Sequence, residues 1–106
     1  MSGGALIPSG EYDDVNNDGY VSGAVSVTSV AIEAKVGASK LAGREWITIT
    51  NKGPKTLYYG PAGVTTTSGD FLYKDQFVSL NHGELIAVFL VCAGADTATA
   101  IVQESA

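Results

Sequence analysis

The residues best equipped for chemistry come early, in the stretch Asp14-Val15-Asn16-Asn17-Asp18-Gly19-Tyr20-Val21-Ser22. Oxygen-bearing side chains occupy its first, third and fifth positions, glycine its sixth and an apolar residue its eighth. That is the opening of a calcium loop, in which hard oxygens surround a hard cation and glycine permits the sharp turn. Asp14, Asn16 and Asp18 are therefore weak calcium candidates. The twelfth position, where a bidentate carboxylate belongs, is Val25, and the flanks read as loop and strand. The plainer reading is an Asx-rich turn leading into the first strand, with no cofactor. A second group, Trp46, Tyr58, Tyr59 and Tyr73, offers either an aromatic platform for a sugar or partner protein, or ordinary cross-strand pairs. Trp46 is out of phase with Ile47 and Ile49, which places it toward a second layer or a subunit contact, where aromatics are enriched.

Catalytic constellations find little support. His82 is the single histidine, sits in a turn, and has no metal-ligand cluster around it in sequence. The serines form no Gly-x-Ser-x-Gly elbow, and no Gly-Lys-Ser/Thr follows Gly60-Pro61-Ala62-Gly63, so this is not a phosphate loop. Cys92 closes the apolar run LIAVFLVC. As the one cysteine it excludes an internal disulfide framework and reads as a small buried hydrophobe. The sequence predicts a protein that is not an enzyme.

Composition narrows the partners. A chain of 106 residues is one domain in size and can bury a core without disulfides or metals. The net charge is −5, and the six basic residues are scattered, which argues against nucleic acid. No basic amphipathic stretch points to a membrane surface, and LIAVFLVCA is far too short to span a bilayer. The opening residues show neither a basic start nor an apolar run, so no secretory leader is expected. Thirteen glycines and only 16% charged residues favour β structure with turns.

The elements that must position these residues follow from periodicity. REWITIT alternates Glu45, Ile47 and Ile49 against Arg44, Trp46, Thr48 and Thr50, a strand with one buried face. Asn51, Gly53 and Pro54 supply a break, TLYYG a return strand, and GPAGVTTTSGD a loop. FLYKDQFVSL resumes apolar spacing around a turn at Lys74 and Asp75. In residues 23–37, Val25 and Val27 keep one phase and Val30, Ile32 and Ala34 the other, as a bulge near Thr28 and Ser29 in one long strand would produce. LIAVFLVC is apolar on both alternating sets, a strand covered on both faces. TATAIVQES is the last strand. The expectation is an all-β fold: a single β-sandwich or jelly-roll-like small barrel of about six to seven strands over residues 23–106. Residues 1–22, irregular and polar, would form an extended N-terminal arm.

The order of these elements resembles small structural proteins of tailed bacteriophages. The matching elements are Gly43-Arg44, Ile47 and Ile49, Asn51 to Gly53, Tyr59-Gly60, Val64 to Gly69, and Ile101 to Glu104. The likeness covers about two-thirds of the chain and leaves residues 1–22 outside it. It departs from the pattern at residues 71–76, where Tyr-Lys-Asp stands for a Pro-Gly type turn, and at the unusually apolar residues 85–92. The resemblance implies β-sandwich subunits attached to virions, made in the host cytoplasm. The expected function is a capsid decoration (cement) protein, acting as a homo-oligomer on the major capsid protein. The alternative is a tail, neck or fibre-associated component with carbohydrate or receptor binding. Leu6, Ile7 and Tyr12 of the arm join Trp46, Tyr58, Tyr59 and Tyr73 as expected interface residues.

Overall fold

The structure is a computed structural model that describes residues 19–106. Its strands are β1 (Tyr20–Val27), β2 (Ile32–Glu33), β3 (Trp46–Pro54), β4 (Leu57–Gly60), β5 (Asp70–Leu72), β6 (Phe77–Leu80), β7 (Phe89–Val91) and β8 (Ala98–Ser105). Alternation decides how they are used. In β3 the inward set contains Ile47 and Ile49, and in β8 it contains Ala98, Ala100 and Val102, all buried. Such faces must meet another apolar layer. They do so as two antiparallel four-stranded sheets, of order β1-β8-β3-β6 and β2-β7-β4-β5. Val27, Ile47, Ile49 and Val102 of the first sheet pack with Leu57 and Leu90 of the second to form the core. Each such side chain contributes about 1.5–3 kcal/mol by leaving water.

The all-β sandwich agrees with the sequence. The strand number is eight among the described residues, above the expected six to seven, because residues 23–37 are not one bulged strand. The chain leaves the first sheet after Val27 and enters the second at Ile32, so the phase change marks a change of sheet. Thr28 anchors this crossover: its Oγ1 accepts the Val30 N–H (3.1 Å), and its carbonyl accepts the Cys92 N–H (2.7 Å). β1 begins at Tyr20, so Tyr20, Val21 and Ser22 belong to the sandwich. Strand β3 also runs through the expected break to Pro54, with its register against β8 shifting between Asn51 and Pro54. Buried Asn51 holds that irregular end: its Nδ2 donates to the Lys55 and Leu72 carbonyls (both 2.8 Å), and its Oδ1 accepts the Gly53 N–H (2.7 Å). The turn at Lys74 and Asp75 is present, with Asp75 at φ 69°.

The apolar run 85–92 departs most from expectation. Only Phe89–Val91 is strand, and Leu85 is 98% exposed. Arg44 provides the physical reason. Its guanidinium is buried and donates to the carbonyls of His82 (3.0 Å), Gly83 (3.0 Å) and Ile86 (2.7 Å). Those carbonyls are thereby turned away from any ladder, and residues 82–86 form a loop. The remaining Arg44 nitrogen, Nη1, donates to Glu104 Oε2 at 2.8 Å, and both side chains are fully enclosed. Glu104 in turn accepts the backbone N–H of Val36 (3.2 Å) and Leu41 (3.4 Å). One ion pair therefore fixes two loops to the centre of the first sheet.

Candidate docking surface

The face of the first sheet opposite the core is built by the other half of the alternation. Antiparallel pairing lines its side chains up in rows across the strands: Tyr20, Ser105 and Trp46; then Ser22, Gln103, Thr48 and Ser79; then Ala24, Ile101, Thr50 and Phe77. These rows contain no Asp, Glu, Lys or Arg, although 16% of the chain is charged; the next outward residue of β3 after Thr50 is the exposed Lys52. Four of the polar side chains there bond to one another in pairs. Gln103 Nε2 donates to the Tyr20 hydroxyl (2.6 Å), and the Thr48 and Ser79 hydroxyls share a hydrogen bond (2.8 Å). Three large rings stand out of the face, with Tyr20 59%, Trp46 45% and Phe77 66% exposed. Covering such a face removes apolar area from water without stripping water from a charge. Charge depletion with aromatic enrichment is the composition of an interface centre.

The expected aromatic platform is divided between surfaces. Trp46 lies on the face just described. Tyr58 pairs with Phe71 across β4 and β5 in the second sheet, and the Phe71 and Tyr73 rings stand 5.0 Å apart at 47°. Tyr59 has the opposite phase and packs against the core. Its hydroxyl donates to Asp70 Oδ2 at 3.4 Å, and burial, with the Asp70 charge adding to it, pushes the phenol pKa up. Leu6, Ile7 and Tyr12, with the calcium candidates Asp14, Asn16 and Asp18, lie outside the described residues. Tyr20, Phe77 and Gln103 were not among the sequence candidates. Their signal was available, since each is out of phase with the buried residues of its own strand, but it becomes usable only once the strand neighbours are known.

A cavity of about 320 Å³ opens where the two sheets meet, lined among others by Tyr59, Pro61, Asp70, Leu80, His82 and Ile86. Its wall is largely apolar. Ser68 Oγ, also on this wall, accepts the Thr65 N–H (3.0 Å) and shares a hydrogen bond with Thr65 Oγ1 (3.1 Å). Among the described residues no hydrogen bond joins His82 to Ser68 or Asp70, so the nucleophile–base contact of covalent catalysis is not formed there. Among the same residues no three of His, Cys, Asp and Glu are grouped to hold a metal ion. Cys92 is buried. Burial, together with the Asp96 carboxylate, pushes its thiol pKa up.

No family model and no curated protein matches the chain. Among solved structures, a Bacillus endospore appendage from a family of disulfide-linked pili is similar at 16% identity and a TM-score of 0.36, over 92% of this chain and 98% of that one.

Proposed function

We propose that this chain is a bacteriophage capsid decoration (cement) protein, which binds the assembled shell and stabilises the contacts between major capsid subunits. The observation that carries this reading is the outer face of the first sheet, where three rows of side chains carry no charge, Lys52 stands at one end, and Tyr20, Trp46 and Phe77 project. A sandwich that presents three rings and the bonded Thr48 and Ser79 hydroxyls on one sheet face needs little ordering on contact, so its apolar burial goes into affinity. A protein that binds the closed shell and not its separated subunits stabilises the shell by mass action, by about 2.7 kcal/mol when present at a hundred times its dissociation constant. No bond need be made or broken. The protein acts as a ligand of the virion, on its surface, without cofactor and without turnover.

The test is sedimentation of purified protein with shells that lack it, followed by heating of the coated shells. Wild type should co-sediment and raise the temperature at which shells open, and Trp46→Ala with Phe77→Ser should do neither while keeping its own melting temperature. Wild-type protein that stays in the supernatant would overturn the reading. The exposed Phe71 and Tyr73 pair favours one rival, a tail or fibre component that stacks its rings on a sugar. In that case binding on a glycan array should vanish in Phe71→Ala and be unaffected by Trp46→Ala.

A further inference from the structure

A sandwich of two open sheets has four edges, and three of them here are short. β2 has two residues, β5 three and β6 four, whereas β1 has eight. Its sequence, Tyr-Val-Ser-Gly-Ala-Val-Ser-Val, has no charge and no proline, and its register against β8 runs without a shift. Edge strands are ordinarily blunted by shortness, charge, proline or a bulge. β1 uses none of these. The direction of its backbone groups follows from one hydrogen bond: the Ala106 N–H donates to the Gly19 carbonyl at 2.7 Å. Gly19 and Ala106 are thus a hydrogen-bonded pair, and alternation turns the N–H and C=O of Val21, Gly23, Val25 and Val27 toward β8. The N–H and C=O of Tyr20, Ser22, Ala24 and Ser26 therefore point off the edge, and among the described residues no other strand takes them.

We infer that β1 is the seam on which a second copy of this chain docks, its own β1 running antiparallel across a two-fold axis at Gly23. This register is self-complementary. Tyr20 faces Ser26 of the second copy and Ser22 faces its Ala24, each as a hydrogen-bonded pair, so every outward N–H and C=O of β1 finds a partner. The two Gly23 residues meet in the close, non-hydrogen-bonded arrangement, where Cα atoms approach to about 4.5 Å. Within its own chain a Cβ on Gly23 would stand 3.1 Å from Val36 Cγ1. Charge favours the same site. Two copies at −5 each repel, and a strand free of charge is where they can meet with no like pair opposed. The residues leading into β1 are a poorer occupant, since Pro8 lacks a donor and Glu11, Asp13 and Asp14 would bring charge to the ladder. The product is a continuous sheet of order β6-β3-β8-β1-β1-β8-β3-β6, whose aromatic outer faces join across the seam in an isologous dimer.

The experiment is sedimentation velocity on the full chain over a wide concentration range. Wild type should dimerise. Ala24→Pro, which removes an outward N–H and no ladder bond, should shift the protein to monomer. Because Ser22 and Ala24 face each other across the axis, Ser22→Lys/Ala24→Lys and Ser22→Glu/Ala24→Glu should each be monomeric alone and form a heterodimer when mixed. Circular dichroism and melting of each variant show that the fold is intact, and the charge swap reads the seam even if the proline variant fails to fold. A wild type that stays monomeric, or charge variants that self-associate like wild type, would overturn the seam. Monomeric protein that still coats shells would remove the seam and leave the decoration reading standing. Dimers that ignore shells would do the reverse.

Discussion

Arg44 and Glu104 show how much one residue pair can organise. Both side chains have lost their water completely, so the pair is held by geometry: the guanidinium satisfies three carbonyls and one carboxylate oxygen, and the carboxylate satisfies two further N–H groups. Removing one partner leaves the other charge buried and unmatched, a cost of about 3–5 kcal/mol. Glu104→Leu should therefore lower the urea midpoint sharply, and adding Arg44→Met should recover part of the loss. A Glu104→Leu protein as stable as wild type would contradict the buried pair. Cys92 gives a simpler test. Its buried, upward-shifted thiol should react with an aromatic disulfide reagent only on unfolding, because the thiolate is the nucleophile.

At the scale of an element, β2 is only two residues long and needs help to stay in place. Glu33 supplies it by binding Lys40 Nζ at 3.0 Å, with Lys35 Nζ at 3.6 Å. Desolvation pulls the Glu33 carboxyl pKa up, but the Lys40 hydrogen bond and charge, joined by Lys35, outweigh it and hold the group below its ordinary value. A carboxyl with a lowered folded-state pKa stabilises the fold above its unfolded pKa, about 4.3 for glutamate, and that stabilisation disappears as pH falls through the folded value. Wild type and Glu33→Gln should therefore differ in melting temperature at neutral pH and converge in acid. The 82–86 loop predicts the opposite kind of result. Leu85 is almost wholly exposed, and Leu85→Ser should change stability by no more than about 0.5 kcal/mol, whereas burial in a covered strand would make the same change costly.

For the whole molecule, the layer arrangement separates stability from recognition. The inward half of each alternation forms the core, and the outward half of the first sheet carries one charged residue, Lys52 near the end of β3. Trp46→Ala should accordingly lower shell binding with little effect on the melting temperature, and Ile49→Ala should do the converse, losing about 2–5 kcal/mol of stability. Equal loss of both properties in Trp46→Ala would mean that its ring supports the fold.

Much of this was written into the chain locally. Period-two patterns marked the inward residues of β3 and β8, because side-chain direction in a strand depends only on residue parity; the burial of Cys92 and the turn at Lys74 and Asp75 followed from residue type. Parity cannot say which sheet a strand joins. The crossover at Thr28 therefore read as a bulge, and the apolar run beginning at Leu85 read as strand, although Arg44, forty-one residues earlier in the chain, takes the Ile86 carbonyl together with those of His82 and Gly83 just before it. The aromatic outer face was likewise hidden, since Tyr20, Trp46, Phe77 and Gln103 come onto one surface only through the order β1-β8-β3-β6. The sequence determined which side of each strand is apolar; the tertiary structure decided which strands stand side by side, because that choice rests on contacts between residues far apart in the chain.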